Sequence, residues 1–291
     1  MKPYTSPAEA YDAARRCLQN KQMPEAEAIL RELASRYPDN LRYGEAALEA
    51  VFRQGKTEEA LDLFRALVGR FDPTGDSVYD ALYVDAIRVT ATSPLPLRRM
   101  LRFYELVKQL QRTLPLTGEV VECGCFRGLS SYLMCNYLRR HDSGFTGKGY
   151  HIFDSFQGLS VPTTEDEIPE DHANAKNLKD MTRTGAFAAS FKHVKDNLKA
   201  FPDIEFHPGW IPLTFGGVPE RTYKFAHIDV DLYDPTLNCL EYFYPRLVAG
   251  GALVSDDYGW PGAQQAMEEF CAERKIAFDV TNYRQAVIVK S

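Results

Sequence analysis

Two hydrophobic rhythms divide this chain. Up to Leu114 apolar residues recur at helical spacing between polar turns; after Leu114-Pro115-Leu116-Thr117-Gly118 short apolar runs alternate with helical stretches. The runs near Glu119–Cys123, Gly149–Phe153, Ile204–His207, Phe225–Asp229, Ala252–Ser255, Ala277–Val280 and Ala286–Val289 predict strands. Helices are predicted near Leu129–Arg139, Gly185–Ala200, Pro235–Leu247 and Gly262–Arg274. Strands alternating with helices imply a parallel sheet covered on its faces. Only a handful of residues separate the last two strands, too few for a crossover, so they should pair as an antiparallel hairpin. The predicted class is α/β: a doubly wound, mostly parallel sheet with a C-terminal antiparallel hairpin, behind an N-terminal all-α repeat-like module.

The helical part repeats itself. Ala13-Ala14 recurs as Ala47-Leu48, Glu25-Ala26 as Glu59-Ala60, Leu30 as Phe64, and Tyr37-Pro38-Asp39 as Phe71-Asp72-Pro73, a period of 34 residues. That is the tetratricopeptide length, and each copy reads as two helices broken at a polar turn, Gln19 to Pro24 and then Gln54 to Thr57. A repeat buries its apolar face only against a neighbour, so the stretch that follows should continue and cap the packing. The expected organisation is 1–76 as a tetratricopeptide-like module, 77–114 as a helical connector or cap, and 115–291 as the sheet domain. Bracing of the sheet domain is the plainer role for the helices; recruitment of a protein partner or a second copy of the chain is the alternative.

Composition narrows the function classes. The chain has 291 residues, 45% hydrophobic and 25% charged, with a net charge of -6 and no dense Lys/Arg block, which argues against a nucleic-acid partner. Its apolar runs fall far short of the roughly 20 residues a membrane span needs. The start, Met1-Lys2-Pro3-Tyr4-Thr5-Ser6-Pro7, carries no secretory h-region, so the cytoplasm is the default location. None of the six cysteines makes a C-x-x-C pair, and reduced core thiols are expected.

The chemistry-bearing residues sit where predicted strands end. Glu122-Cys123-Gly124 through Gly128 gives E-x-G-x-x-x-G before a helix opening on Ser130-Ser131, a turn that admits close backbone approach but lacks the G-x-G-x-x-G spacing of a nicotinamide site. An acidic Glu122 suits a cationic ligand group, and S-adenosylmethionine (SAM) carries an ammonium and a sulfonium. Asp154, followed by Ser155, lies 26 residues after Gly128 at the end of the second strand, placed to accept ribose hydroxyls. Two acidic clusters, Asp229 with Asp231 and Asp256 with Asp257, end the fourth and fifth strands. On adjacent strands about 4.8 Å apart four carboxylates would repel unless a cation or protons neutralise them, and all-oxygen ligation selects a hard divalent ion, Mg²⁺ foremost. A parallel sheet ending in a hairpin is the class I SAM-methyltransferase variant of the doubly wound fold.

At these residues the chain resembles the macrocin O-methyltransferase family, whose relatives methylate sugar hydroxyls on macrolide and aminocoumarin antibiotics. The matching stretches are Val121–Ser131, Phe153–Leu159, Asp229–Thr236, Tyr244–Gly251 and Asp256–Gly259. The resemblance implies that Asp229, Asp256 and Asp257 hold the metal, that Asp231 is the general base, and that Glu122, Gly124 and Asp154 line the SAM site; Gly128, Ser130 and Ser155 lie in the same turns. His227 is the alternative base. The polar stretch Ser160 to Thr184 reads as a lid. The substrate is expected to be a small hydroxyl compound, glycosidic in kind, with a catechol-like phenol or a non-catalytic module as alternatives.

Overall fold

The structure, a computed structural model, describes residues 4–94, 96–169 and 175–291, with the backbone alone at 175–177. Residues 1–3, where the stretch without an h-region begins, Leu95, and residues 170–174, inside the expected lid, lie outside the described residues. The chain forms two compact units, Met1–Leu101 and Arg102–Ser291.

In the first unit α1 (Pro7–Gln19), α2 (Met23–Arg36), α3 (Leu41–Phe52), α4 (Thr57–Phe71) and α5 (Ser77–Thr90) follow one another, each packing on its predecessor. Positions 34 residues apart share one environment: Ala14 and Leu48, Ala26 and Ala60, and Leu30 and Phe64 are all buried. Side-chain caps start two of the helices, Ser6 accepting from the Glu9 N–H of α1 and Asp76 from the Val78 and Tyr79 N–H groups of α5. Glu27 ties the helices together, accepting from Arg31 (2.7 Å), Gln54 (2.8 Å) and Lys56 (2.7 Å). Partial burial pushes its carboxyl up, but the hydrogen bonds from Lys56, Arg31 and Gln54 outweigh that and bring it down to about 2. Because the folded value lies below the unfolded one, the stabilisation is fully present above about pH 4.5 and is lost as the pH falls towards 2. Glu27→Gln is expected to cost about 1–2 kcal/mol at pH 7, after allowance for solvent screening, and to flatten the acid limb of a urea-midpoint profile.

Helix α6 (Leu97–Arg112) runs through the division between the units. The Leu114 to Gly118 punctuation read from the sequence follows just after the end of this helix.

The second unit continues with β1 (Glu119–Cys123), α7 (Leu129–His141), β2 (Tyr150–Asp154), α8 (Ala175–Met181), α9 (Phe191–Asn197), β3 (Glu205–Pro208), β4 (Tyr223–Ile228), α10 (Tyr233–Phe243), β5 (Leu247–Ser255), α11 (Pro261–Arg274), β6 (Asp279–Val280) and β7 (Ala286–Val289). The sheet order is β3-β2-β1-β4-β5-β7-β6, parallel from β3 to β5, with β7 antiparallel to both β5 and β6. Chain order reverses between β1 and β4, so the crevice at their carboxyl ends is the point where doubly wound sheets bind ligands. Strand alternation sends Val121, Cys123, Phe153, Ala226 and Ile228 to one face, where they pack with Leu240, Phe243, Met267 and Phe270 of α10 and α11. Each such fully buried ring contributes about 2–3 kcal/mol relative to exposure.

Among the boundaries that differ from the sequence reading, three have a clear local reason. α10 stops at Phe243 and tightens into a 3-10 turn over Tyr244–Arg246, since Pro245 offers no N–H to continue the helix. β5 starts at Leu247 rather than Ala252; Gly250, at φ +77°, lets the strand bulge and stay in the sheet. α9 begins at Phe191 and not at Gly185 because Ser190 caps it, accepting from the His193 N–H. All six cysteines are free thiols, five of them buried. Among the described residues no helix is long and apolar enough to cross a membrane.

Candidate active site

The glycine turn and the ends of β2 and β4 interlock. Past Cys123 the chain turns through Gly124 (φ +82°) and reaches α7 after Gly128 (φ +85°). A Cβ on Gly124 would lie 1.8 Å from the Asp229 carbonyl oxygen. This position excludes any side chain because the backbone leaving β4 crosses it, a closer constraint than the approach of a ligand. Asp229 N–H donates to Cys123 C=O (2.8 Å) and Gly124 N–H to Phe153 C=O (2.8 Å), so the three strand ends are fixed relative to each other.

Asp154 joins β2 to that turn. Its Oδ2 accepts from the Cys125 (2.7 Å) and Phe126 (3.3 Å) N–H groups, and its Oδ1 from Phe156 N–H (2.7 Å). A carboxylate has about four acceptor positions, so it retains capacity for a hydroxyl beside these contacts. Ser155 caps its own turn, donating to Gly158 C=O (2.9 Å) and accepting from Gln157 N–H (3.0 Å). Ser130 is buried in the first turn of α7. Gly124, Gly128, Asp154 and Ser155 thus meet at the carboxyl ends of β1 and β2.

Glu122 does not join them. It is a strand residue in register with His227 of β4, fully buried, and its oxygens are taken by the Ser131 hydroxyl, by Tyr150 Oη (3.0 Å) and by His227 Nδ1 (3.0 Å). The structure thus places the Glu122 carboxylate against Ser131, Tyr150 and His227 rather than beside the other turn residues.

The acidic tips converge as expected from strand adjacency. β4 and β5 pair with Ile228 opposite Ser255, and Asp256 N–H donates to Ile228 C=O (2.8 Å), so both chains leave the sheet side by side. Carboxylate oxygens of Asp229, Asp231 and Asp257 lie within 4.8 Å of one another. Asp231, at φ +61°, donates its N–H to Asp257 Oδ2 (2.9 Å), which ties the two tips together. Burial and mutual repulsion raise all three acids: Asp229 by burial and the Asp257 and Asp256 charges, Asp257 by burial and Asp231 and Asp256, and Asp231 to about 8 by burial and Asp229.

Asp256 adjoins this trio, with one carboxylate oxygen within 4.8 Å of ligand atoms of Asp229 and His227. It is paired with Arg102 of α6 (3.0 Å), accepts from Gln285 Nε2 (2.7 Å), and lies 3.8 Å from His227 Nε2, too far for a hydrogen bond. Burial works against its charge, but Arg102, His227 and Gln285 prevail and hold it at about 2. Burial likewise opposes a charged His227 ring, yet the flanking Asp256 and Glu122 carboxylates raise it to about 10. His227 is fully buried, with Nδ1 engaged by Glu122 and Nε2 3.8 Å from Asp256. Arg102 also lowers Asp229, Asp231 and Asp257, but burial and the neighbouring carboxylates outweigh it there. Three hard oxygen donors with raised pKa values fit a divalent ion, which removes the repulsion that raises them.

The macrocin-O-methyltransferase (TylF) profile matches residues 87–289, about seven-tenths of the chain. The chain belongs to this family. Among relatives of this macrocin O-methyltransferase family member, the 8-demethyl-8-(2,3-dimethoxy-alpha-L-rhamnosyl)-tetracenomycin-C 4'-O-methyltransferase of Streptomyces olivaceus is 31% identical over 53% of the chain and 58% of its own length. The demethyldecarbamoylnovobiocin O-methyltransferase of Streptomyces niveus is 31% identical over 55% of the chain and 60% of its own length. The chain thus spans about three-fifths of these two curated relatives. The solved structure of the O-methyltransferase NovP superposes with a TM-score of 0.55 at 25% identity, covering 68% of the chain and 81% of NovP.

Two residues of this family member escaped the sequence reading. Arg102 had no local signal, since it is one basic residue among several on an amphipathic helix and its partner lies 154 positions on. Asp166 did have one, the Thr163-x-x-Asp166 capping box. Its carboxylate accepts from Tyr233 N–H at the start of α10 (2.8 Å) and from Thr163 N–H (2.9 Å), and a Cβ on Gly262 would fall 1.8 Å from it. Asp166 thereby fastens the polar stretch after β2 to α10 and α11.

Proposed function

We propose that this protein transfers a methyl group from SAM to a hydroxyl of a sugar or sugar-containing natural product, with a divalent cation, Mg²⁺ foremost, held by Asp229 and Asp257. The observation that supports this reading is the convergence of Asp229, Asp231 and Asp257 within 4.8 Å, directly against the glycine turn. Family membership and two relatives named as O-methyltransferases, one of them of a rhamnosyl-tetracenomycin, point the same way. The α1 to α5 unit is read as a tetratricopeptide-like module.

The residues divide the labour by charge state. Asp154 holds ribose hydroxyls while its backbone contacts keep the turn closed. Asp229 and Asp257 carry the negative charge a cation needs, and Asp256, the third ligand that the resemblance implies, lies within 4.8 Å of Asp229 while also pairing with Arg102. Asp231 takes the proton of the acceptor hydroxyl at its carboxylate, oriented by its own N–H bond to Asp257. A bound divalent ion supplies the lowering of the hydroxyl pKa that a sugar needs near neutral pH. The rest is placement of nucleophile, methyl carbon and sulfur in line.

Excess EDTA is expected to reduce methyl transfer at least about a hundredfold while S-adenosylhomocysteine affinity, measured by calorimetry, changes less than about threefold, with Mg²⁺ restoring turnover. Undiminished transfer in EDTA would remove the metal from this reading.

A further inference from the structure

A second cluster of ligand-type side chains lies on the β2–β3 edge of the sheet, with His151 second in β2 and Glu205 and His207 first and third in β3. β2 and β3 pair with His151 opposite Glu205 and Phe153 opposite His207, so strand alternation places His151, Glu205 and His207 on one face of the sheet edge. His151 Nδ1 stands 3.2 Å from His207 Nε2 and 3.7 Å from Glu205 Oε2, and one donor atom from each residue falls within 4.8 Å of the others. Two imidazole nitrogens on one tetrahedral ion at ~2.0–2.1 Å are ~3.3 Å apart, close to the spacing already present.

The rings are held for the purpose. His207 stacks on the buried Phe153 ring at 4.1 Å and 11°, and His151 meets Tyr223 edge-on at 88°. His151 Nε2 lies 2.9 Å from Glu119 Oε2, closer than the 3.3 Å to Arg221 Nη1. A carboxylate only accepts, so Nε2 carries the proton and Nδ1 presents its lone pair to His207. A ligating imidazole whose other nitrogen donates to a carboxylate is the outer-shell arrangement of zinc sites. Glu119 is fixed in turn by Arg221 Nη1 (2.9 Å), which also reaches Glu205 through both its nitrogens. A salt-bridged hydrogen-bond network accounts for Arg221, Glu119 and Glu205, but it does not require a second imidazole aimed at the first.

We propose that His151, His207 and Glu205 form a second cation site, of two imidazoles and one carboxylate, selective for a borderline transition ion of the zinc class. Binding replaces the His151–His207 hydrogen bond, moves the His207 proton from Nε2 to Nδ1, and frees one Glu205 oxygen from Arg221. The ion clamps edge strand β3 to β2. The proposal is independent of the methyltransferase reading.

The test uses the full chain, stripped with EDTA, dialysed, and loaded with half an equivalent of Cu²⁺. Electron paramagnetic resonance is expected to show superhyperfine splitting from two nitrogens, reduced to one or none in His207→Ala and retained in Asp257→Asn. Zn²⁺ titrated by calorimetry should bind at least tenfold more weakly to His207→Ala and to Glu205→Gln. An oxygen-only copper spectrum, a spectrum unchanged in His207→Ala, or Zn²⁺ affinity unchanged in both variants overturns the proposal. His207 and Glu205 are partly exposed, so both variants keep the fold, while loss of copper signal only in Asp257→Asn would place the ion at the carboxyl-end cluster instead.

Discussion

Asp257→Asn is expected to lower the rate of methyl transfer by about 10²–10⁴-fold while leaving the melting temperature in EDTA unchanged or higher. Asp229, Asp231 and Asp257 are raised by burial and by each other, so without an ion each charge costs the fold free energy. Removing one of three mutually repelling carboxylates relieves that cost, and the asparagine oxygen still accepts the Asp231 N–H. The same change removes a ligand, so stability and activity should move in opposite directions. Methyl transfer at saturating SAM together with scanning calorimetry checks both limbs. A near wild-type rate, or a melting temperature lowered by several degrees, contradicts the assignment.

Its neighbour should behave in the reverse sense. Asp256→Asn leaves the buried His227 and the Arg102 side chain, which is 29% exposed, facing a neutral amide. A fully buried pair broken this way costs about 3–5 kcal/mol, and the partial exposure of Arg102 lowers the expectation to about 1–3 kcal/mol, or several degrees in melting temperature. Arg102→Met in the same chain removes the stranded cation and should recover a large part of the loss, with coupling of about 1–3 kcal/mol in a double-mutant cycle. If Asp256→Asn loses activity with its melting temperature intact, Asp256 is a ligand after all. Two adjacent aspartates with opposite signatures give a sharp experimental contrast.

The alternation of short apolar runs with helical stretches was enough to place the five parallel strands and the closing hairpin, because a strand buried on both faces has to be apolar along its length. The 34-residue period was equally legible, since each buried position in one helical pair must recur in the next. Acidic residues at two neighbouring strand ends announced a convergence of carboxylates, because topology alone brings such ends together.

What the sequence left open was the state of each charge. Asp256 and Asp257 are adjacent, yet one is held at about 2 and the other is raised, because only Asp256 meets Arg102 and Gln285 from distant parts of the chain. In the sequence Glu122 and His227 read as a ligand contact and a base; cross-strand register buries them against each other, Nδ1 3.0 Å from Oε1. Periodicity is a local property and survives in the sequence, whereas a carboxylate's protonation depends on burial and on charges a few ångströms away, which only the folded chain brings near.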